Sequence, residues 1–239
     1  MKKILVFILF VSISATFQSV SSQGIKERFG DSSKLTYQVF YNGIASGYIY
    51  WSYQGVKKVG SQPAEVLRVS SDANIFNLLD LTSDEEVFLD PKTYLPLKVE
   101  RDIIFFGKPE LIEELYDQEK GVVKIIRKGK DKAVKEEILY QDKPIHNILA
   151  LLYFFPQSLK LEKDKWMDFN LPSQKIKIKF IKERPLNTED GRISTYFLLG
   201  RGDKKFSLWL DKTTRLPLRL EFISLAGKVS IVRVKEERK

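Results

Sequence analysis

The chain has 239 residues, 43% hydrophobic and 30% charged, with no cysteine, one histidine and a formal net charge of +9. Without thiols it has neither a disulfide framework nor a cysteine that could carry a lipid anchor. A single histidine gives no basis for a metal centre built on His and Cys. The size suits one domain, since β-rich domains of about 200–250 residues commonly stand alone.

The opening MKKILVFILFVSISATFQSVSS places Lys2 and Lys3 before an apolar run from Ile4 to Phe17, followed by Ser19, Ser21 and Ser22. That order predicts a secretory signal peptide over 1–22. The apolar run is shorter than the roughly 20 residues a spanning helix needs. The expected product is a periplasmic protein of residues 23–239 that is not a lipoprotein. Export turns the basic surplus away from nucleic acid and toward anionic lipid or an acidic protein patch. The same charges could equally serve to keep the surface soluble.

From residue 34 the pattern has period two. In KLTYQVFY, Leu35, Tyr37, Val39 and Tyr41 share one face. Asn42-Gly43 then predicts a tight hairpin, and IASGYIYWSY returns with Gly47 marking a bulge or a close approach. Tyr37, Tyr41, Tyr48, Tyr50, Trp51 and Tyr53 load both faces of this hairpin. One face must be core, while the other is a cavity wall, a docking surface or a second core. After the strand AEVLRVSSDA, the stretch DANIFNLLDL (72–81) breaks the period. It predicts a short helix capped by Asp72 with Ile75, Leu78 and Leu79 on one face.

SDEEVFLD, LPLKVERDIIFF, LIEELYDQ, GVVKIIRK and AVKEEILY resume the strands. The pairs Glu85-Glu86, Glu113-Glu114 and Glu136-Glu137 split between the two faces of their strands. Basic residues gather from Lys124 to Lys135, either as a solvated loop or as a contact for anionic headgroups. Lys124, Arg127, Lys128 and Lys130 are the headgroup candidates.

QDKPIHNILALLYFFP (141–156) predicts a helix, with Asp142 as cap, Pro144 in the first turn and Pro156 as the stop. Ile145, Ile148, Leu149, Leu152 and Phe155 fall at helical spacing. Leu151 and Phe154 make almost the whole circumference apolar, so the helix must be buried on more than one side. His146 is expected to face solvent. The strands KWMDFNL, KIKIKFIKE, RISTYFLLG, KFSLWLD, LPLRLEFIS and KVSIVRVKEE complete the chain, joined by short polar connections typical of hairpins. In KIKIKFIKE, Lys175, Lys177 and Lys179 share one face, where they also discourage edge pairing. The predicted fold is mainly β with minor α. It is a strongly curved antiparallel sheet forming an incomplete barrel, closed by one or two short helices.

One feature is written twice. VFLDPKTYLPLKVE (87–100) and LWLDKTTRLPLRLE (208–221) align without gaps and share Leu89/Leu210, Asp90/Asp211, Thr93/Thr214, Leu95/Leu216, Pro96/Pro217, Leu97/Leu218 and Glu100/Glu221. Each reads as a hairpin. The Asp carboxylate accepts turn N–H groups, and the proline begins the return strand, where a missing N–H is tolerated.

This aromatic-Leu-Asp, turn, Leu-Pro-Leu hairpin resembles the signature of periplasmic proteins with the LolA/LolB-type fold. The chain is similar, over nearly its whole mature length, to an exported family known as domain of unknown function 3108. Four features carry the likeness: the Leu35–Tyr41 strand with Asn42-Gly43-Ile44 and Gly47, the hairpin at 87–100, the helix at 145–155, and Trp209-Leu210-Asp211 with Leu216-Pro217. The resemblance implies a half-barrel around an apolar cavity, which in better-known relatives receives lipid chains. It marks no catalytic residue.

Two functions follow. One is a periplasmic binding protein that holds a lipid or other apolar molecule for envelope upkeep, with Tyr37, Tyr41, Trp51, Ile148, Leu152 and Phe155 as cavity candidates. The other is a structural or interaction module whose core is filled by side chains and whose sheet edge docks a partner. Whether the concave face encloses an empty apolar cavity of about 300–1,000 Å³ separates them. No catalytic residue, cofactor or metal is expected: there is no nucleophile elbow and no phosphate loop. Two carboxylates meeting across a cleft, as in glycoside hydrolysis, stand third.

Overall fold

The computed structural model describes residues 34–237 without 76–78, 130–132, 159, 189–190 and 225–226, and without the side chains of 74–75, 79–80, 155–158 and 235–237. The expected signal peptide lies outside the described residues. The strands are β1 (Lys34–Tyr41), β2 (Ile44–Val59), β3 (Gln62–Ile75), β4 (Leu79–Leu89), β5 (Pro96–Phe105), β6 (Lys108–Asp117), β7 (Val122–Gly129) and β8 (Val134–Tyr140). Helix α1 (Ile148–Ser158) follows, then β9 (Trp166–Asn170), β10 (Lys175–Thr188), β11 (Gly191–Arg201), β12 (Lys205–Asp211), β13 (Pro217–Ser224) and β14 (Gly227–Glu237).

All these strands form one antiparallel sheet in the order β8-β7-β6-β5-β4-β3-β2-β1-β14-β13-β12-β11-β10-β9. Two hairpin meanders, β1–β8 and β9–β14, are joined through the β1–β14 pair. The edge strands β8 and β9 do not pair, so the sheet is not closed into a barrel. Period-two patterning becomes rows of apolar residues across neighbouring strands. Leu198, Leu208, Leu220, Ile231 and Val39 are successive partners from β11 to β1. Leu67, Val87 and Val99 make the corresponding row across β3, β4 and β5. Leu198, Leu208, Leu67, Val87 and Val99 belong with α1 to one buried cluster, against which Leu220 and Ile231 pack. The sheet therefore wraps around the helix, because a helix with Ala150, Leu151, Leu152, Tyr153 and Phe154 all buried needs apolar cover on every side.

The 141–147 segment carries the chain from edge strand β8 toward edge strand β9 and fastens to both sides. Gln141 Nε2 donates to the Pro172 carbonyl (3.0 Å), Lys175 pairs with Asp142, and the His146 N–H donates to the Asn170 carbonyl (2.7 Å). On the other side Gln118 clasps Ile145, accepting from its N–H (3.0 Å) and donating to its carbonyl (2.9 Å).

This pinning corrects the expected helix start. Ile145 and His146 are held extended against Asn170, so the helix begins at Ile148. Its cap is Asn147, whose Oδ1 accepts from the Leu149 and Ala150 N–H groups (2.9 and 3.2 Å). Asp142 is instead spent on Lys175, and Pro144 lies before the helix. Pro156 falls inside the last turn rather than ending it, since the helix runs on to Ser158.

A second correction concerns 72–81, expected as a helix. Its described residues continue β3 and open β4, with Ala73 opposite Leu81 and Ile75 opposite Leu79. An isolated ten-residue helix is marginal, whereas extending an established ladder satisfies each backbone group as it is added. One helix, not two, is present among the described residues.

Both copies of the repeated hairpin fold alike. Asp90 Oδ1 accepts from the N–H groups of Lys92 and Thr93 (2.9 and 2.8 Å), and Asp211 Oδ1 from those of Thr213 and Thr214 (2.7 and 2.8 Å). Tyr94 and Arg215 both take positive φ (54° and 62°), and each return strand begins at the proline. Ladder shifts occur at the same place, Phe88/Leu89 and Trp209/Leu210. At Asn42-Gly43 both φ values are positive, as the dipeptide predicts. Gly47 meets the Asp72 carbonyl so closely that a Cβ would stand 2.2 Å from it.

Candidate functional site

Between α1 and the inner face lies an apolar cavity of about 280 Å³. Helix residues Ile148, Leu149 and Leu152 form one wall. The opposite walls come from Tyr37 of β1, Ile49 and Trp51 of β2, and Leu208, Pro217, Leu220 and Ile231 of β12 to β14. Adjacent strands place Tyr37 and Trp51 side by side, with ring centres 5.4 Å apart, and Trp51 leans on Tyr153 at 6.0 Å. Tyr37 Oη donates to the Pro217 carbonyl (3.0 Å), satisfying its hydroxyl at the cavity margin. Ile148, 38% exposed, stands where the lining meets solvent.

One patch of the wall is polar. Ser71 and Ser83 are cross-strand partners whose hydroxyls bond each other at 2.7 Å, and both line the cavity beside Glu85. Glu85 is clamped by Arg101 through Nε (2.6 Å) and Nη2 (3.0 Å). Arg101 also approaches Glu114 (3.5 Å), which accepts the Tyr116 hydroxyl (2.6 Å). Burial works against the Arg101 charge, but the two carboxylates outweigh it and hold the guanidinium firmly protonated. Burial, reinforced by Glu114, pushes the Tyr116 phenol up.

A third acid, Glu65, is almost fully buried on the inner face and accepts the Tyr53 hydroxyl. Burial and then Glu65 push Tyr53 up, and the same causes push Tyr94 up to about 12. Tyr94 stacks on Phe154 with centres 4.7 Å apart, so the β4–β5 turn braces the helix.

The structure thus brings together four of the six predicted cavity residues: Tyr37, Trp51, Ile148 and Leu152. Tyr41 is half-buried at the end of β1 and does not line the cavity: it keeps the alternation of Tyr37 and Val39 but pairs with Ile44 and Val229, beyond the lining residues Ile49 and Ile231. The Phe155 side chain lies outside the described residues. Tyr48 and Tyr50 stack on the outer face (6.2 Å), which settles the two-faced hairpin: its inner side holds the cavity wall. Ser71, Ser83 and Glu85 were missed. Their alternation marks a face, but nothing in sequence shows which polar residues on it meet a void.

His146 is a further correction. It packs edge-on against Phe169 (5.3 Å) instead of facing solvent, and burial pushes its pKa down. The headgroup candidates divide: Lys124 pairs with Glu136 (2.9 Å), Arg127 reaches Glu110 (3.8 Å), Lys128 is exposed, and Lys130 lies outside the described residues. Among the described residues no group of three metal-ligating side chains occurs, and no helix is long and apolar enough to cross a membrane.

No family model and no curated protein matches the chain. Among solved structures it is similar to a β-barrel-like protein of Brucella abortus, a domain of unknown function 1849, with 8% identity over 87% of this chain and 98% of that one and a TM-score of 0.56. A candidate lipoprotein from Parabacteroides distasonis aligns at 9% identity over 87% and 96%, with a TM-score of 0.32. A candidate outer membrane lipoprotein-sorting protein domain from Vibrio parahaemolyticus aligns at 12% over 91% and 90%, with a TM-score of 0.27. The Brucella protein shows that this chain has a β-barrel-like fold.

Proposed function

We propose that this is a non-enzymatic periplasmic protein of the domain of unknown function 3108 type that holds a lipid chain or similar apolar molecule in cell-envelope upkeep. The observation that carries this reading is the cavity: a helix too apolar for any surface does not fill the sheet it covers, and leaves space lined by Leu, Ile and aromatic rings. Of the three inner carboxylates that could suggest hydrolysis, Glu85 and Glu114 are engaged by Arg101, and Glu65 accepts the Tyr53 hydroxyl. That engagement supports a structural role for them.

The experiment is purification from the native host, followed by mass spectrometry of what is extracted and thermal unfolding before and after delipidation. A co-purifying single-chain or acyl molecule whose removal lowers Tm supports the reading. A protein that carries nothing and whose Tm no alkyl compound shifts overturns it. That result would favour the interaction module, a reading helped by a volume just below the usual range of about 300–1,000 Å³ for ligand sites.

A further inference from the structure

Two hairpins of the N-terminal half close through the same two-residue turn. In β1–β2 the turn is Asn42-Gly43, with φ of 48° and 85°, and in β5–β6 it is Phe106-Gly107, with φ of 50° and 69°. Positive φ at both positions suits Asn and Gly, whereas a bulky side chain there crowds its own carbonyl. Asn42 fits that demand. Phe106 does not, and its ring gains no burial in exchange, being 53% exposed.

The ring belongs to a patch. Phe105 packs edge-on against Phe106 with centres 4.5 Å apart, and Ile104, Phe105, Leu111 and Val134 are 44%, 44%, 52% and 54% exposed. Apolar residues cover both faces of this end of the sheet: Phe105 and Lys108 are partners on the face that carries Val99 and Arg101, while Leu111, Lys128 and Val134 are successive partners on the other. Lys108 and Lys128 are exposed. Nearby, Glu110 is engaged by Arg127; of the acids that share the surface of Leu111 and Lys128, Asp84 is engaged by Arg68, Glu86 by Lys57, and Glu100 and Glu113 by Lys98, while Asp102 lies opposite Leu111. A hairpin tip with two rings at its apex, a lysine on each face and a formal net charge of +9 that stays at +7 when Lys2 and Lys3 leave with the expected signal peptide matches an anionic surface with an apolar layer beneath it.

We propose that the β5–β6 tip inserts into the interfacial layer of an anionic lipid bilayer. Phe105 and Phe106 enter the headgroup–acyl boundary, and Lys108 and Lys128 lie at the level of the phosphates. This is a second lipid contact, separate from the cavity and independent of whether the cavity is filled.

Co-sedimentation of the purified protein with equimolar phosphatidylglycerol/phosphatidylcholine vesicles tests it, with pure phosphatidylcholine vesicles for comparison. The expected result is binding to the anionic vesicles that weakens at high salt. Phe106→Asn should lower that binding by about tenfold, equivalent to roughly 1.4 kcal/mol, while Tm holds or rises because Asn accepts the turn conformation. Lys108→Glu keeps both rings and should weaken binding to anionic vesicles alone. Wild-type protein that ignores anionic vesicles overturns the proposal, as does a folded Phe106→Asn variant that binds as wild type. Concentration-dependent dimerisation abolished by Phe106→Asn, without vesicle binding, also overturns it and assigns the patch to a second copy of the chain.

Discussion

At the scale of single residues, the two turn aspartates do the same work in different settings. Asp211 accepts two backbone N–H bonds while largely buried, with Arg233 3.9 Å away. Asp90 accepts its two in a more exposed turn. An unsatisfied buried donor costs about 1–3 kcal/mol, against about 0.5–1.5 for one ordinary hydrogen bond. Asp211→Ala should therefore shift the urea midpoint more than Asp90→Ala does, and equal shifts would contradict this account of the burial. The buried phenols give a pH signature. Tyr53, Tyr94 and Tyr116 are raised above the ordinary 10.0, burial being the largest cause, with Tyr94 reaching about 12. The folded state then holds these protons more tightly than the unfolded chain. Their contribution to stability is complete below about pH 10 and is lost as pH rises through the folded values. Tm measured from about pH 9 to 12 should begin to fall near 10, before these three phenols ionise in the folded protein. A flat Tm across that window would remove the inference.

Helix α1 is where the cavity reading is most exposed to test at the level of elements. Leu152 lines the void, whereas Leu151, its equally buried neighbour, does not. Truncating a filled core leucine costs roughly 2–5 kcal/mol, depending on the space left behind. Leu151→Ala should fall in that range. Leu152→Ala should fall below it, because it widens a space that already exists. Chemical denaturation of both variants decides the matter, and equal losses would mean that the void is packed core. The same helix shows what was legible in advance. Its burial and its contribution of Ile148 and Leu152 to the cavity follow from apolar residues on every side. Its start did not: Ile145 satisfies the helical spacing and His146 falls in the expected first turn, but Gln118 and Asn170, distant in sequence, hold them extended. The 72–81 stretch failed for the same reason, since a short apolar run with Ile and Leu fits either period and only the partner strand decides. Hairpins with local turn chemistry, at Asn42-Gly43 and at both aspartates, were readable because their signals lie within a few residues.

The whole molecule is an open sheet whose two edges are tied by the segment that also delivers the helix, so cavity and closure depend on one another. The void of about 280 Å³ is about nine times the ~30 Å³ share of a liquid water molecule, and a methylene group is of similar size. A single saturated chain of about that many carbons would fill it. A longer chain must leave its tail outside, past Ile148, or push the helix away from the sheet and strain the contacts at Gln118 and Asn170. The polar wall adds a preference: Ser71 and Ser83 bond each other, which uses one hydroxyl proton and leaves a second to donate, along with lone pairs to accept. Titrating linear alcohols of increasing length against the delipidated protein should therefore give a Tm rise that peaks near a medium chain and declines beyond it, since a bound ligand stabilises by RT ln(1 + [L]/Kd). Leu152→Ala, by lengthening the void, should move the peak to a longer alcohol. Alkanes of the same length should give a smaller shift, and Ser71→Ala/Ser83→Ala should erase that difference without moving the peak. A response that climbs steadily with chain length in every variant would point to general partitioning onto apolar surface, and the cavity would then have no part in binding.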